Sequence, residues 1–460
     1  MKSSKAQIRG NFHKIPTVRF DGRKLTSFSG IVIFMALFRL MGLKTRIGNC
    51  FSHLKSGGCY GMPTILMLLL LHLLLGFRRL RSLDYYRDDA LLRHLLGLRR
   101  RLPDVSTVSR NLSQADGRSV KRYLGLIKDI FYQRVMLQGF ARLTIDFDGT
   151  VIWTRGGGVE GTAVGFNKKK KGARGYYPLL CTCAQTGQVV DMLFRPGNVH
   201  DSNGAIEFIL NNIAQLRQMN RNLQIECRFD GAFFDEKLLV LLDVLGVEFT
   251  ISVPFERLYA LKNIIESRRR WRRLDGTWSC FERRWKPKSW DRTYRFMFFR
   301  QKVAVQRKGP VQLDLCVPHE HGYEYKVVVT NKKFSARKVL MFHNGRGSQE
   351  GIIGELKQSA QFDYIPFRRQ VANQLFMCTS VLAHNLTREL QMKVEPPRRG
   401  TTEKRAARWP FRKLATLRQE ILLRAGRLSN PRGELTLTMG NNECVQRDIA
   451  KYMSALAAAA

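Results

Sequence analysis

LTIDFDGTVIW, residues 143–153, is the stretch on which the reading of the fold turns. Apolar and polar residues alternate from Leu143 to Asp148, the period of a half-buried β-strand. Leu143, Ile145 and Phe147 fall on one face, and Thr144, Asp146 and Asp148 on the other. Gly149 follows the second carboxylate, where a backbone turns away at a sheet edge, a common location for functional groups in open α/β sheets. Working outward, a Gly-rich loop leads to YYPLLCTCA (176–184), and QVVDMLFRPGN (188–198) follows the turn at Thr186 and Gly187. These make three strands in hairpin order. An amphipathic helix over 203–218, the strand LQIECRFD (223–230), the helix FDEKLLVLLDVLG (234–246) and the strand VEFTISVPF (247–255) come next. Strands alternating with helices predict an α/β fold with a mixed sheet. Asp230 ends its strand and is followed by Gly231, repeating the Asp148-Gly149 arrangement.

A third acid stands in FHNGRGSQEGIIGELK, residues 342–357. Read as one helix turning by roughly 100° per residue, it sets His343, Arg346, Glu350 and Lys357 within about 60° of one line. Ile352, Ile353 and Leu356 then face a core, and Glu355 falls away from the charged stripe. The same pattern also fits a solvated face with an ordinary i,i+4 Arg/Glu pair, which stabilises a helix by only about 0.2–0.5 kcal/mol. Two Asp and one Glu are the hard oxygen donors that Mg²⁺ prefers, enough to hold a pair of ions with room for a phosphate. Arg346 and Lys357 would grip the backbone of a nucleic acid on either side of the reacting phosphorus.

The remainder of the 460 residues supports a polyanionic partner. Lys and Arg number 78 against 37 Asp and Glu, a formal charge of +41. This excess lies over regular apolar periodicity along the whole length, which favours nucleic acid ahead of an anionic membrane. Nine cysteines are irregularly spaced, with no CxxC pair or neighbouring His to make a zinc set, and read as reduced thiols. No secretory h-region is seen over residues 1–25. MPTILMLLLLHLLLGF (62–77) is shorter than the roughly 18–20 residues of a membrane span and reads as a core helix.

Residues 1–140 form a helical N-terminal region expected to bind DNA. In LPDVSTVSRNL (102–112) Pro103 stops one helix and Ser106 or Thr107 caps the next, the look of a helix-turn-helix near 103–112, although a plain helical hairpin fits equally. Residues 141–255 are the first part of the core, 256–330 an all-β insertion rich in Trp and Arg, 331–395 the second part of the core, and 396–460 a basic C-terminal region. PPRRGTTEKRAARWPFRKL (396–414) reads as a linker or DNA-facing arm. GVEGTAVGFNKKKKG lacks the spacing of a nucleotide-binding loop, and His200-Asp201 read as a loop residue before a helix cap.

Taken together, the chain resembles the DDE transposases of bacterial insertion sequences. More narrowly, it is similar to the branch whose third acid lies in a Tyr-x2-Arg-x3-Glu-x6-Lys signature. Arg346, Glu350 and Lys357 meet that spacing, and His343 replaces the Tyr. DGTV (148–151), VGFNKKKKGARGYYPLL (164–180), FRPGNVHDSNGA (194–205), RFDGAFF (228–234) and RGSQEGIIGELK (346–357) agree with the same branch. The resemblance covers about residues 100–390.

It implies an RNase H-like catalytic core, with Asp148, Asp230 and Glu350 as catalytic residues and ligands of two Mg²⁺ or Mn²⁺ ions. Asp146 stays open as the first ligand instead of Asp148. Arg346, Lys357, His343, the basic loop Lys168, Lys169, Lys170 and Lys171, and Arg174 would lie on transposon-end DNA. An aromatic in the insertion would stack a flipped base, with Trp271, Trp278, Trp285 and Trp290 as candidates. The expected activity is metal-dependent strand cleavage at element ends and strand transfer into target DNA, by a homodimer on paired terminal repeats in the bacterial nucleoid. A structure-selective nuclease without strand transfer and a DNA-binding relic are the alternatives.

Overall fold

In the computed structural model, residues 15–54, 59–165, 167, 170–199, 203–254, 258–303, 322–398 and 402–459 are described. Strand β1 (Arg142–Gly149) forms where the alternation requires it. It pairs antiparallel with β2 (Leu179–Cys183), which pairs antiparallel with β3 (Gln188–Leu193). On its other side β1 runs parallel to β4 (Gln224–Phe229), and β4 runs parallel to β5 (Glu248–Ser252). Helices α5 (Ala205–Met219) and α6 (Glu236–Val244) make the two crossovers.

The two faces of this sheet differ. Leu143, Ile145 and Phe147 join Ile225, Cys227, Phe229, Phe249 and Ile251 in one apolar core with Phe208 and Ile209 of α5 and Leu239 of α6. Each such side chain contributes about 1.5–3 kcal/mol when fully buried. Thr144, Asp146, Glu226, Arg228 and Thr250 line the opposite face and are just as buried. Burial of so many polar groups is tolerable only if each is paired. Glu226 accepts from Thr144 Oγ1 at 2.9 Å, Arg142 at 2.8 Å, Lys332 at 2.6 Å and Arg405 at 2.9 Å.

Two expectations are corrected here. Residues 256–330 are not all-β, because Tyr259–Glu266 is helical, and the strands beyond it do not stand apart from the core. β6 (Arg272–Arg273), β7 (Trp278–Trp285), β8 (Tyr294–Lys302) and β9 (Tyr323–Thr330) extend the same sheet, since β9 pairs antiparallel with β5. The result is a nine-stranded mixed sheet in the order β6-β7-β8-β9-β5-β4-β1-β2-β3. Nor is the C-terminal basic region simply an outward arm. Arg405 is buried in its pair with Glu226, Trp409 is 3% exposed, and residues beyond fold into two strands and several helical segments, the longest Glu443–Ala458. A sequence scan sees the charge of that segment but not the buried carboxylate 179 positions away that receives it.

The helical layer follows the apolar pattern. In α2 (Met62–Leu74) ten consecutive residues from Ile65 to Leu74 are buried, and the helix packs on α9 (Gln370–Val394). No helix among the described residues is long and apolar enough to cross a membrane. In α3 (Val105–Ser113) the cap is Asp104, whose carboxylate accepts from the Thr107 N–H at 2.6 Å, not Ser106 or Thr107 as expected. Helix α4 (Gly117–Gln138) turns Tyr123, Ile127, Ile130 and Phe131 inward against α9 and the sheet. Near the other end, Leu25–Thr26 pairs with Gly426–Ser429, which pairs with Thr436–Met439. There α1 (Val32–Leu40) also packs on α10 (Glu443–Ala458), so early and late segments are built into one layer.

Candidate active site

The parallel register of β1 and β4 sets Asp146 opposite Arg228. Two residues further along β1, Asp148 lies opposite Leu180 of β2, and Asp230 follows the end of β4 near enough for its charge to act on the Asp148 carboxyl. Asp230 ends β4 and caps the short turn Gly231–Phe233, accepting from the Ala232 N–H at 3.0 Å. The side chain of Asp148 is 21% exposed. Its pKa is pushed up to about 7 by burial, then by the Asp230 and Glu350 carboxylates, against the opposing pull of Arg346. Such a raised carboxyl in an acidic group is a common mark of a functional site. Gly149 packs closely here: a Cβ would meet the Tyr177 hydroxyl at 2.5 Å, so a larger residue requires that side chain to shift.

Asp146, the alternative first ligand, has a different environment. It is fully buried, and its two oxygens accept from Arg228 Nε at 2.5 Å and Nη2 at 2.6 Å. The remaining Arg228 nitrogen, Nη1, donates to the carbonyls of Phe342 at 3.2 Å and Lys404 at 2.9 Å. Both carboxylate oxygens of Asp146 are thus taken up by a guanidinium that ties three chain segments together. Arg228 was not among the residues singled out in the sequence. Its only signal was a charged residue at an inward position of a strand, two before Asp230.

The third acid sits on a helix that is interrupted, not continuous. Helix α7 (Ala336–Asn344) ends just before Gly345, and α8 (Gly347–Ser359) begins after Arg346, which caps it. A Cβ on Gly345 would lie 2.1 Å from the Lys404 carbonyl oxygen and 2.3 Å from Arg228 Nη1, so the junction packs against both. Arg346 projects between two acids: Nη1 is 3.3 Å from Asp148 Oδ2 and Nη2 is 3.6 Å from Glu350 Oε1. Glu350 is 68% exposed. Lys357 donates to the Val151 carbonyl at 3.1 Å and so holds the chain just beyond β1. Ile352, Ile353 and Leu356 are buried as expected, and Glu355 is buried in an ion pair with Arg388.

His343 lies before this junction, at the buried end of α7. It is 2% exposed, with Nε2 at 2.8 Å from Ser252 Oγ and Nδ1 at 3.0 Å from Thr250 Oγ1, both on β5. The expectation that His343 faces DNA is therefore corrected: its ring packs against the sheet, and burial, followed by the nearby Lys326 and Arg346 charges, holds its pKa well below the ordinary value. Lys326 on β9 is a second residue missed in the sequence. It donates to Asn344 Oδ1 at 2.6 Å, beside Arg346 and Glu350, and burial and the Arg346 charge lower its pKa. Only the continuation of the core sheet into β9 carries it there.

Of the expected DNA-facing loop, Lys168 and Lys169 lie outside the described residues, as do His200 and Asp201. Lys170 and Lys171 are exposed, with the Lys170 ammonium 5.1 Å from the Trp153 ring centre. Arg174 is exposed and donates to the Thr162 carbonyl at 2.5 Å. The four tryptophans of the 256–330 region all pack on other rings. Trp271 meets Phe281 edge-on, Trp278 meets Phe299, Trp285 meets Phe296, and Trp290 stacks on Phe234. Trp290 is 9% exposed, whereas the other three are half-buried.

Among the described residues, no three His, Cys, Asp or Glu side chains are drawn together tightly enough to hold a metal ion. The donor set nonetheless fits a hard divalent cation in kind, with carboxylates only, one of them raised in pKa by burial and then by its acidic neighbours. Arg346 now supplies the positive charge between Asp148 and Glu350.

No curated protein matches the chain. Among solved structures, a piggyBac transposase synaptic complex with hairpin DNA is similar at 13% identity, covering 86% of this chain and 81% of that one, with a TM-score of 0.43. A Drosophila P element transposase strand transfer complex is 13% identical, covers 49% of each chain and has a TM-score of 0.22. A Mos1 transposase paired-end complex is 13% identical, covers 43% of this chain and 60% of that one, and has a TM-score of 0.17. The model of the family described as transposase DDE domain group 1 matches residues 10–460, and the chain belongs to that family.

Proposed function

We propose that Asp148, Asp230 and Glu350 are the acids with which this DDE transposase cleaves and joins DNA strands. The observation that carries the reading is Arg346 reaching from Asp148 to Glu350, with Asp230 near enough for its charge to act on the Asp148 carboxyl. The strand order β3-β2-β1-β4-β5, with β4 and β5 parallel to β1, supports an RNase H-like core. The Arg346, Glu350 and Lys357 spacing supports the insertion-sequence branch, and with it a bacterial element.

Two Mg²⁺ or Mn²⁺ ions held by the three acids would supply an activated nucleophile and a charge sink at the leaving oxygen. The chain's own residues do the rest. Arg346 neutralises charge between Asp148 and Glu350, and it is free to turn to a phosphate when the acids gain other counter-charge. Lys357 fixes the loop after Asp148 through the Val151 carbonyl. Lys326 adds a cation on the sheet side of Glu350. Exposed Lys170, Lys171 and Arg174 favour the backbone of end DNA, and Ser106 and Arg110 on α3 face outward as a helix-turn-helix surface would require. A homodimer on paired ends completes the reading.

The purified protein, incubated with terminal-repeat duplex and Mg²⁺, should give nicked ends and joined products. Cuts without joining would favour a nuclease, and a mobility shift without cutting would leave a DNA-binding relic.

A further inference from the structure

A turn at residues 402–405 lies where the polar face of the sheet meets the junction of α7 and α8, and the Arg405 N–H closes it on the Thr402 carbonyl at 2.9 Å. Arg405 has φ +55°, in the left-handed region that residues with a Cβ seldom adopt. Such a conformation persists only where the surroundings over-determine it, and it gathers at functional sites. Here the Arg405 side chain does the holding. Its Nε and Nη2 fork onto Glu226 Oε2 and Oε1 at 2.9 and 3.1 Å, and Nη1 returns to the Thr402 carbonyl at 3.2 Å. Further on, the Arg408 N–H donates to the Gln185 carbonyl at 2.8 Å, which pins the segment beside the turn between β2 and β3 as well.

What this turn presents is the Lys404 carbonyl. It accepts from Arg228 Nη1 at 2.9 Å, and the same nitrogen donates to the Phe342 carbonyl near the end of α7 at 3.2 Å. The Lys404 carbonyl also occupies the space that a Cβ on Gly345 would need, one residue before Arg346. Lys332, Arg228 and Arg405 all lie over the Phe342 ring, at 4.3, 5.3 and 5.9 Å. A short line of contacts therefore runs from Glu226 through Arg405 and the Lys404 carbonyl to the residue that precedes Arg346, which itself reaches Asp148 and Glu350. Glu226 does not depend on Arg405 in return. Thr144, Arg142 and Lys332 also donate to it, at 2.9, 2.8 and 2.6 Å, so loss of Arg405 leaves a carboxylate that is still paired.

We infer that Arg405 is a positioning residue for the proposed active site: by holding the Lys404 carbonyl against Gly345 and Arg228, it fixes Arg346 and Glu350 relative to Asp148. Its effect on cleavage rests on the roles proposed for those acids, whereas its effect on the α7–α8 junction does not. Substitution of Arg405 should therefore disturb the junction and the rate of nicking far more than the fold or the grip on DNA.

The full-length wild type, Arg405→Met, Gly345→Ala and the double variant are to be compared in four measurements. These are urea denaturation, hydrogen exchange, affinity for terminal-repeat duplex in EDTA, and single-turnover nicking at saturating duplex with Mg²⁺. Arg405→Met should keep a cooperative urea transition and bind the duplex within about twofold of wild type, while nicking slows on the order of 100-fold, as for a displacement of about 1 Å. Amides of residues 343–350 should exchange on the order of tenfold faster, and those of β1 at the wild-type rate. Gly345→Ala pushes the same carbonyl from the other side, so the double variant should nick no more slowly than the slower single variant. Arg405→Lys keeps a cation on Glu226 but not the fork; it should fall between wild type and Arg405→Met, and it carries the same test if Arg405→Met does not fold. Wild-type exchange at the junction, undiminished nicking, or losses that multiply in the double variant would overturn the inference. Undiminished nicking by Asp230→Ala would instead sink the assignment of the acids, and the exchange result would still decide whether Arg405 holds the junction.

Discussion

Replacing Arg228 with methionine should be among the most damaging single changes in the protein. The guanidinium is fully buried, satisfies both oxygens of buried Asp146 and donates to two carbonyls. Its removal leaves a buried carboxylate unpaired, a loss of about 3–5 kcal/mol in comparable sites. In an Asp146→Asn, Arg228→Met double variant the charge is gone, and the Phe342 and Lys404 carbonyls each lose a bond of about 1 kcal/mol. The double variant should therefore recover roughly 2 kcal/mol relative to Arg228→Met. Urea denaturation of the wild type, both single variants and the double variant measures this coupling. The same set reports on catalysis, because Nη1 fixes the end of α7 one turn before Arg346. A 1 Å displacement of Arg346 and Glu350 from Asp148 should slow nicking by about 100-fold, even in the double variant that has regained stability. A single variant within about 1 kcal/mol of wild type, or a double variant no more stable than the single, would refute the assignment of this pair as a buried tie.

Further outcomes are expected. Asp230→Ala should abolish nicking while leaving affinity for end DNA nearly intact in a mobility-shift titration, and equal loss of both would mark the acid as structural. Binding should weaken steeply with salt, with a log–log slope proportional to the phosphates neutralised, and a flat response would count against the reading of the +41 charge. Burial lowers the pKa of His72 to about 3, and burial followed by Arg388 lowers that of His384 to about 4. Their folded pKa values lie below the ordinary 6.5, so both contribute stability that is present above pH 6.5 and lost as pH falls towards 4. Together they should steepen acid unfolding by up to about 2.7 kcal/mol per pH unit in that window, and His72→Gln should flatten it. On α8, Gly354→Ala meets open space and should stabilise by about 1 kcal/mol, whereas Gly345→Ala must displace the Lys404 carbonyl and should lower the melting temperature.

What was legible in the sequence depended on how far each cause acts along the chain. The alternation in LTIDFDGTVIW and the apolar run of α2 are local; α2 forms where it is expected, whereas β1 ends at Gly149 and Ile152–Thr154 pairs instead with Arg174–Tyr176 in a separate sheet. The Arg346 and Glu350 pair is one helical turn and was equally visible. The choice between Asp146 and Asp148 was not local, because it depends on Arg228, 82 residues away. His343 looks like part of the charged stripe in the sequence, but its ring is taken up by Ser252 and Thr250 of β5, more than 90 positions away. Arg405 read as part of a DNA-facing arm because its partner, Glu226, lies in another part of the chain. Lys326 reaches the site only because β9 pairs with β5, a pairing that no spacing in the sequence announces.

The pairing of Leu25–Thr26 with Gly426–Ser429, and the seating of Arg405 on Glu226, also bear on how the molecule is made. During vectorial synthesis, β4 leaves the ribosome with a carboxylate that Arg142 can already meet but whose second guanidinium partner, Arg405, is some 180 codons from being translated. Contacts of such sequence separation give a high contact order and slow the final closure. The proposed active site therefore closes late, after Asp148, Asp230 and Glu350 have all been synthesised, and until then unpaired strands are the natural clients of chaperones.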